Sequence, residues 1–309
     1  MNGLNIRYFL SLFFLMLSHL GFSQSNIVGL PLMRHFYKSS YNAGTQNWSI
    51  SQDSKGLLYF ANNNGVLRYD GTNWKSFPIP DNKLVRSVLC VNDTIFVGSF
   101  EEFGFLVPDS KNDLRYKSLS TQLGRTIKGL DEIWRIFRIG DSTLFQSFTH
   151  IVVYKAGRVI TYQTPEPLQF SFTIGSKYYV QGKNGNIFEF INGTFIRFDD
   201  GGVFRGKQIW ASLSINDKTI LATLNNGVWV YDNVKLSQWK GLTNDFLSKN
   251  QIFSATTLQN NLVAFGTIQD GLIITDESGN LIQHINKNKG LQNNTVLSTF
   301  LDKDKNLWL

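Results

Sequence analysis

The sequence predicts an all-β protein: a β-propeller of about seven four-stranded blades, the last of them truncated. Three observations predict it. First, seven positions, Trp48, Arg86, Trp134, Phe170, Trp210, Phe253 and Leu297, each open a short β-like run. They are spaced 38, 48, 36, 40, 43 and 44 residues apart, and a loose period of about 40 residues with several strands per unit marks a propeller blade. Second, Asn-Gly and Asp-Gly pairs separate the apolar runs, as tight hairpin turns with positive φ require. Third, 14% of residues are aromatic and only 17% are charged, enough apolar material for a large core. One blade cannot bury both its faces, so the blades must close into a ring.

Residues 1–23 read as a signal peptide. Arg7 supplies the charge, Tyr8 to Leu17 the apolar run, and Gly21 and Ser23 the small residues before cleavage. The apolar run is short of the roughly 20 residues that a membrane span needs. Residues 24–46 form an N-terminal segment in which Leu32-Met-Arg-His-Phe-Tyr37 reads as an outer strand that closes the ring. The propeller occupies 47–309, with blades near 47–80, 84–120, 132–165, 168–204, 208–249, 251–293 and an incomplete one at 295–309.

The first unit is the most regular. Trp48-Ser-Ile-Ser-Gln-Asp53 alternates as an inner strand, and Ser54-Lys-Gly56 turns. Leu57–Ala61 is a second strand, Val66–Tyr69 a third after Asn62-Asn-Asn-Gly65, and Trp74–Phe77 a fourth after Asp70-Gly-Thr72. Unit five repeats this plan from Ile209 to Tyr231, turning at Asn216-Asp217 and Asn225-Asn-Gly227. Unit six turns at Asn260-Asn261, Gln269-Asp-Gly271 and Glu277-Ser-Gly279, and unit four at Lys183-Asn-Gly185 and Asn192-Gly193. Unit two carries the acidic turn Glu101-Glu-Phe-Gly104, and a long connection from Ser118 to Asp131 precedes unit three. Val296 to Leu309 reads as a strand, a turn and the start of another strand, so the chain is expected to be a fragment cut within a blade.

These residues carry a resemblance. Trp48-Ser-Ile-Ser-Gln-Asp-Ser-Lys-Gly-Leu-Leu-Tyr-Phe-Ala-Asn-Asn-Asn-Gly-Val-Leu-Arg-Tyr-Asp70 resembles the repeat of the two-component regulator propeller family, and Leu301-Asp-Lys-Asp-Lys-Asn-Leu-Trp-Leu309 matches the same motif. Units two to four depart from the short pattern. Their Gly98-Ser-Phe-Glu-Glu-Phe-Gly104, Glu132-Ile-Trp134 and Phe145-Gln-Ser-Phe148 resemble the version found in envelope sensors of Bacteroidetes-type bacteria. The resemblance implies an extracytoplasmic, periplasmic sensor domain of a membrane-spanning regulator. In that family a β-sandwich, a transmembrane helix and a histidine kinase or LuxR-type helix-turn-helix follow. The drift of units two to four favours the helix-turn-helix subtype. Homodimerisation through the downstream domains is implied with it.

Chemistry is sparse. The four histidines, at 19, 35, 150 and 284, show no metal-ligand spacing, so no metal and no cofactor are expected. Asp302-Lys-Asp-Lys-Asn306 resembles the start of a calcium loop but lacks the following Gly, and reads as a hairpin turn. Ser51-Gln-Asp-Ser-Lys-Gly56 has one residue too many for a sialidase Asp-box. Cys90 is the only cysteine and lies in the apolar run Val88–Val91, a core residue without an identifiable basic partner. Glu101 and Glu102 are adjacent, and neighbours in an extended chain point apart; a solvated loop or a ligand contact suits them better than a catalytic pair.

No catalytic residue is therefore expected. A ligand is expected where the starts of the inner strands and the turns after the second strands converge on the central funnel. The candidates are Asn47, Trp48, Arg86, Glu101, Trp134, Arg135, Trp210 and Asp270. Aromatic and amide groups around a concavity suit a small polar molecule or an oligosaccharide; blade packing and turn formation are the competing roles. The net charge of +7, or +6 after loss of Arg7, comes without a dense Lys/Arg run, so nucleic acid is not an expected partner. A secreted propeller enzyme acting on glycans, or a passive envelope binding protein, are the alternative readings.

Overall fold

The computed structural model describes residues 29–110, 113–123 and 130–309. The signal segment expected at 1–23 lies outside them. The chain divides into a unit at Met1–Pro31 and a second at Leu32–Leu309; the second is the propeller.

Six complete four-stranded blades are present, each a simple antiparallel meander. Blade 1 is β1 (Asn47–Gln52), β2 (Leu58–Asn62), β3 (Gly65–Tyr69) and β4 (Trp74–Phe77). Blade 2 is β5 (Val85–Val91), β6 (Thr94–Ser99), β7 (Phe103–Pro108) and β8 (Leu114–Ser118). Blade 3 is β9 (Arg135–Ile139), β10 (Ser142–Gln146), β11 (His150–Lys155) and β12 (Arg158–Gln163). Blade 4 is β13 (Leu168–Ile174), β14 (Lys177–Gly182), β15 (Ile187–Ile191) and β16 (Thr194–Phe198). Blade 5 is β17 (Ile209–Ile215), β18 (Lys218–Thr223), β19 (Val228–Tyr231) and β20 (Leu236–Gln238). Blade 6 is β21 (Ile252–Thr257), β22 (Val263–Thr267), β23 (Leu272–Thr275) and β24 (Leu281–Ile285). The seventh position holds only the hairpin β25 (Phe300–Leu301) and β26 (Leu307–Trp308). The sequence predicts about seven four-stranded blades; six are complete, and the seventh position carries two short strands.

The seams between blades are where the apolar residues go. The second strand of a blade is buried on both faces, as in β2, where all five residues are buried. Seven hydrophobic clusters fill seven seams. Val66, Val85, Val97 and Leu106 join blades 1 and 2; Phe96, Phe103, Phe145 and Val152 join blades 2 and 3. The sequence continues through blades 3 and 4 at Leu144 and Tyr178, 4 and 5 at Phe172 and Leu221, and 5 and 6 at Ala222 and Phe265. Leu307 then packs on the blade 6 cluster of Ala264, Leu272 and Ile285. Phe300 and Trp308 pack on Ile50, Phe60 and Tyr69 of blade 1. Seven seams close a seven-position ring.

The aspartates of the repeat build its turns. Asp53 accepts the N–H groups of Lys55 and Leu57, and Asp70 those of Thr72 and Asn73. Asp276 accepts those of Ser278 and Asn280. The calcium-like Asp302 is one of this set. It accepts the Asn306 backbone N–H and, at 2.8 Å, the Trp308 indole N–H.

Two elements differ from expectation. Residues 32–37 form no strand. One side chain anchors the segment instead: Phe36 stacks on Trp308 at 5.6 Å and meets Tyr69 and Trp74 edge-on. The short helix α1 (Lys38–Tyr41) follows and lies against β4. The end of unit five is also helical, in α2 (Leu242–Lys249). There Asn244 accepts the Val228 N–H and donates to the Trp239 carbonyl, so a polar side chain seats the helix on the blade.

Candidate functional site

Six of the seven marker residues owe their direction to a repeated irregularity. The pairing of β1 with β2 skips Trp48 between Asn47 and Ser49. That of β5 with β6 skips Arg86, β17 with β18 skips Trp210, and β21 with β22 skips Phe253. In blade 4 the shift between Leu168 and Ser171 contains Phe170. In blade 3 the Trp134 N–H bonds the Gln146 carbonyl, while Gln146 pairs with Arg135. A bulge adds one residue to a strand and re-aims its side chain. Here it turns these markers toward their counterparts in other blades.

The markers meet one another inside the ring. The Arg86 guanidinium lies 4.2 Å from the ring centre of Trp48 and 4.6 Å from that of Trp134. Trp134 contacts Phe170 at 5.9 Å, Phe170 contacts Trp210 at 4.6 Å, and Trp210 contacts Phe253 at 4.4 Å. Trp48 also meets Trp134 edge-on at 5.7 Å. Trp48 belongs to blade 1 and Trp134 to the entry of blade 3, and such residues can meet only around the central axis. A chain of aromatic rings and one guanidinium therefore lines the throat from blade 1 to blade 6.

The rest of the candidate set divides between throat and rim. Trp48 donates its indole N–H to Asn63 at 2.8 Å, and Asn63 donates to Gln46. Arg86 donates through two nitrogens to Glu132, at 2.9 and 3.1 Å, with side-chain exposures of 14% and 23%. Set in the corner between two perpendicular indoles and paired, Arg86 is a fixed wall of the throat, and each cation–π contact is worth about 0.5–2 kcal/mol. Trp210 donates to Gln208. Arg135 crosses from blade 3 to blade 5: its guanidinium lies 5.2 Å from the Phe170 ring centre and donates to the Trp210 carbonyl. Burial pulls its pKa down to about 10, so it remains a cation at neutral pH.

Asn47, Glu101 and Asp270 do not join this group. Asn47 accepts from Asn62 and fixes the mouth of blade 1. Glu101 is exposed, in a turn with φ of 51°. Its neighbour Glu102 is turned inward and accepts from the hydroxyls of Tyr116, Ser118 and Ser120. The pair thus diverges, and Glu102 is a structural anchor. Asp270 accepts from Asn286 and faces His284. Sequence reasoning missed Glu132 as the counter-ion of Arg86, because 46 residues separate them.

A Ser, a His and an Asp also meet at the mouth of blade 3 without forming a nucleophile. Ser147 accepts the backbone N–H groups of Thr149 and His150 and is fully buried. Burial raises the pKa of Asp131, which accepts the Phe148 N–H. His150 is held down by burial and bonds Thr149 through Nδ1. Among the described residues no three His, Cys, Asp or Glu side chains are placed to share a metal ion. Burial pushes the Cys90 thiol up to about 12, which suppresses the thiolate.

Beside Trp210, on the same face, a cleft of about 140 Å³ is lined by Gly206, Gln208, Leu224, Asn225 and Asn226. Pockets for drug-sized ligands run to about 300–1,000 Å³. This cleft is smaller, so it suits one group of a ligand lying across the mouth.

No protein-family model and no curated protein matches the chain. Solved structures do. The propeller is similar to the extracellular domain of BT4673 from B. thetaiotaomicron, described as a hybrid two component system, with TM-score 0.65 and 19% identity over 86% of this chain. A second structure of that domain, described as a one component system, gives 0.66 and 18%. The WD40 propeller domain of Doa1 is similar at TM-score 0.65 and 11% identity, over 86% of this chain and 89% of that one. At these identities the likeness shows a shared fold. The chain spans 37% of the BT4673 domain. Among the described residues no helix is long and apolar enough to cross a membrane.

Proposed function

We propose that this chain is the extracytoplasmic ligand-sensing propeller of a bacterial transmembrane regulator. The observation that carries the ligand-binding part is the lined throat: Trp48, Arg86, Trp134, Phe170, Trp210 and Phe253 converge beneath a rim of Asn63, Gln46, Gln208 and Glu132. Flat rings with amide groups above them suit the faces and hydroxyls of a sugar or a similar polar molecule. The likeness to the extracellular part of a signalling protein supports the sensor role and, with it, export. Binding is favoured over turnover because Glu132, two residues before Trp134, is engaged by Arg86, and Glu102 is engaged by three hydroxyls.

In this reading a ligand that binds one arrangement of the mouth better than another shifts the regulator between states. Pairing of two copies through other domains carries the shift to a kinase or helix-turn-helix output. The test is a panel of oligosaccharides added to the full chain, read by tryptophan emission and thermal shift, beside the Trp48→Ala variant. Saturable changes that Trp48→Ala weakens support the reading. A panel that leaves both signals unmoved, or that moves both proteins equally, refutes it.

A further inference from the structure

Two arginines enter the throat, and their circumstances differ. Arg86 has Glu132 as its counter-ion. Arg135 has none: among the described residues no carboxylate lies within ion-pair distance of it. The acidic group that it feels most is Tyr178, whose hydroxyl burial keeps protonated. The Trp210 carbonyl takes one hydrogen bond from a side chain that has five N–H donors. Arg135 lies deep within the ring yet keeps part of its surface open to solvent, as a residue lining a channel does.

The repeat shows that this charge is out of pattern. Ser49, Ser87, Ser171, Ser254 and Ser298 occupy the same place, one residue after the marker. Ser49 uses it to bond the inner strand of the next blade at Val88, and Ser87 to bond Ile133 in the segment that leads into the next blade. Arg135 instead sends its guanidinium past blade 4 to blade 5. A charge enclosed without a counter-ion is strongly unfavourable, so its presence here calls for a partner that is not part of the chain. A second group nearby is also unsatisfied. The Trp134 indole N–H is buried without an acceptor. Its ring, like the Arg135 guanidinium, lies within 6 Å of the centre of Phe170. A planar cationic fork and a neutral N–H donor around one aromatic ring match the needs of an oxyanion.

We propose that the throat is a site for one oxyanion group, a carboxylate, sulfate or phosphate, held by Arg135 with Trp134 as the neutral donor. This rests on the reading of the mouth as a ligand site and makes the group that anchors the ligand acidic. The test is calorimetric titration of the full chain with inorganic phosphate, glucuronate and glucose at constant ionic strength. Three variants accompany it: Arg135→Met, Arg135→Lys and Trp134→Phe, each with a thermal melt to verify folding. Phosphate, glucuronate or both should bind saturably and glucose at least about tenfold more weakly, the loss of one charge-assisted bond. R135M should abolish the preference. R135K, which keeps the charge and loses the fork, should fall between, and W134F should weaken binding a few-fold. Binding of phosphate alone marks a free inorganic ion, and binding of glucuronate an acidic sugar.

The proposal is overturned if no anion saturates the protein or if R135M binds as wild type does. If a neutral sugar from the panel binds in a Trp48-dependent way while no anion does, the oxyanion site falls and the ligand-binding mouth stands. If neither binds, both fall.

Discussion

Replacing Phe36 by Ala should open the ring at its seam. Phe36 is partly buried, stacked on Trp308 and set edge-on to Tyr69 and Trp74, with Arg34 at 4.7 Å from its ring centre. Truncating a fully buried Phe costs about 3–5 kcal/mol. About half of that applies to a half-buried ring, and the aromatic contacts add about 0.5–1.5 kcal/mol. The expected loss is therefore about 2–4 kcal/mol. For a domain of this size it corresponds to a fall in Tm of about 5–10 °C. The neighbour Tyr37 is 60% exposed, so Tyr37→Ala should change stability by less than about 0.5 kcal/mol. Thermal melts of the full chain followed by circular dichroism measure both. If F36A melts within about 1 °C of wild type, or Y37A falls as far, Phe36 is not the anchor.

Three further outcomes follow from other contacts. Arg86→Ala removes two cation–π contacts and leaves Glu132 unpaired in a largely covered position; it should cost about 2–4 kcal/mol and shift tryptophan emission to the red, and a wild-type melt would refute this. Burial alone would raise the Asp302 carboxyl, but the Trp308 and Asn306 donors hold it below its ordinary value. A depressed carboxyl contributes stability above the unfolded value of about 3.9, and that contribution is lost as pH falls through the folded value. Asp302→Ala should therefore cost about 1–2 kcal/mol at pH 7 and less as the pH falls below the unfolded value, so urea midpoints of the two proteins should draw together in acid; a constant gap would contradict the assignment. Cys90, with its thiol raised to about 12, should resist iodoacetamide in native protein at about pH 8 and react on unfolding; rapid native labelling would overturn that.

The ring was legible because its signals are local and recur. Trp48, Trp210 and Phe253 sit at the same bulge as Arg86, so period alone found the throat. Turn formers such as Asp70 and Asp276 act within four residues of themselves, and they fixed the hairpins. What escaped was set by closure. Arg135 finds Trp210 75 residues away, and Arg86 finds Glu132 only once blades 2 and 3 are side by side. The apolar run at 32–37 read as a strand because its pattern permits one. In the ring a single aromatic anchor replaces the ladder, and nothing in the run distinguishes the two. α2 was missed because Asn244 seats it through blade 5 groups that become neighbours only on folding.

Phe36 and Trp308 have a kinetic consequence. Six of the seven seams join blades that follow each other along the chain, and each can form as soon as its two blades exist. At the seventh, Lys303 donates to Gln52 across 251 positions of sequence. Contacts of such separation form late, since the ordering entropy of the intervening chain must be met first. We expect this seam to be the last to set and the first to breathe. Amide exchange should then be faster at β1 and β25 than at β13 and β17, whose neighbours on both sides are consecutive in the chain.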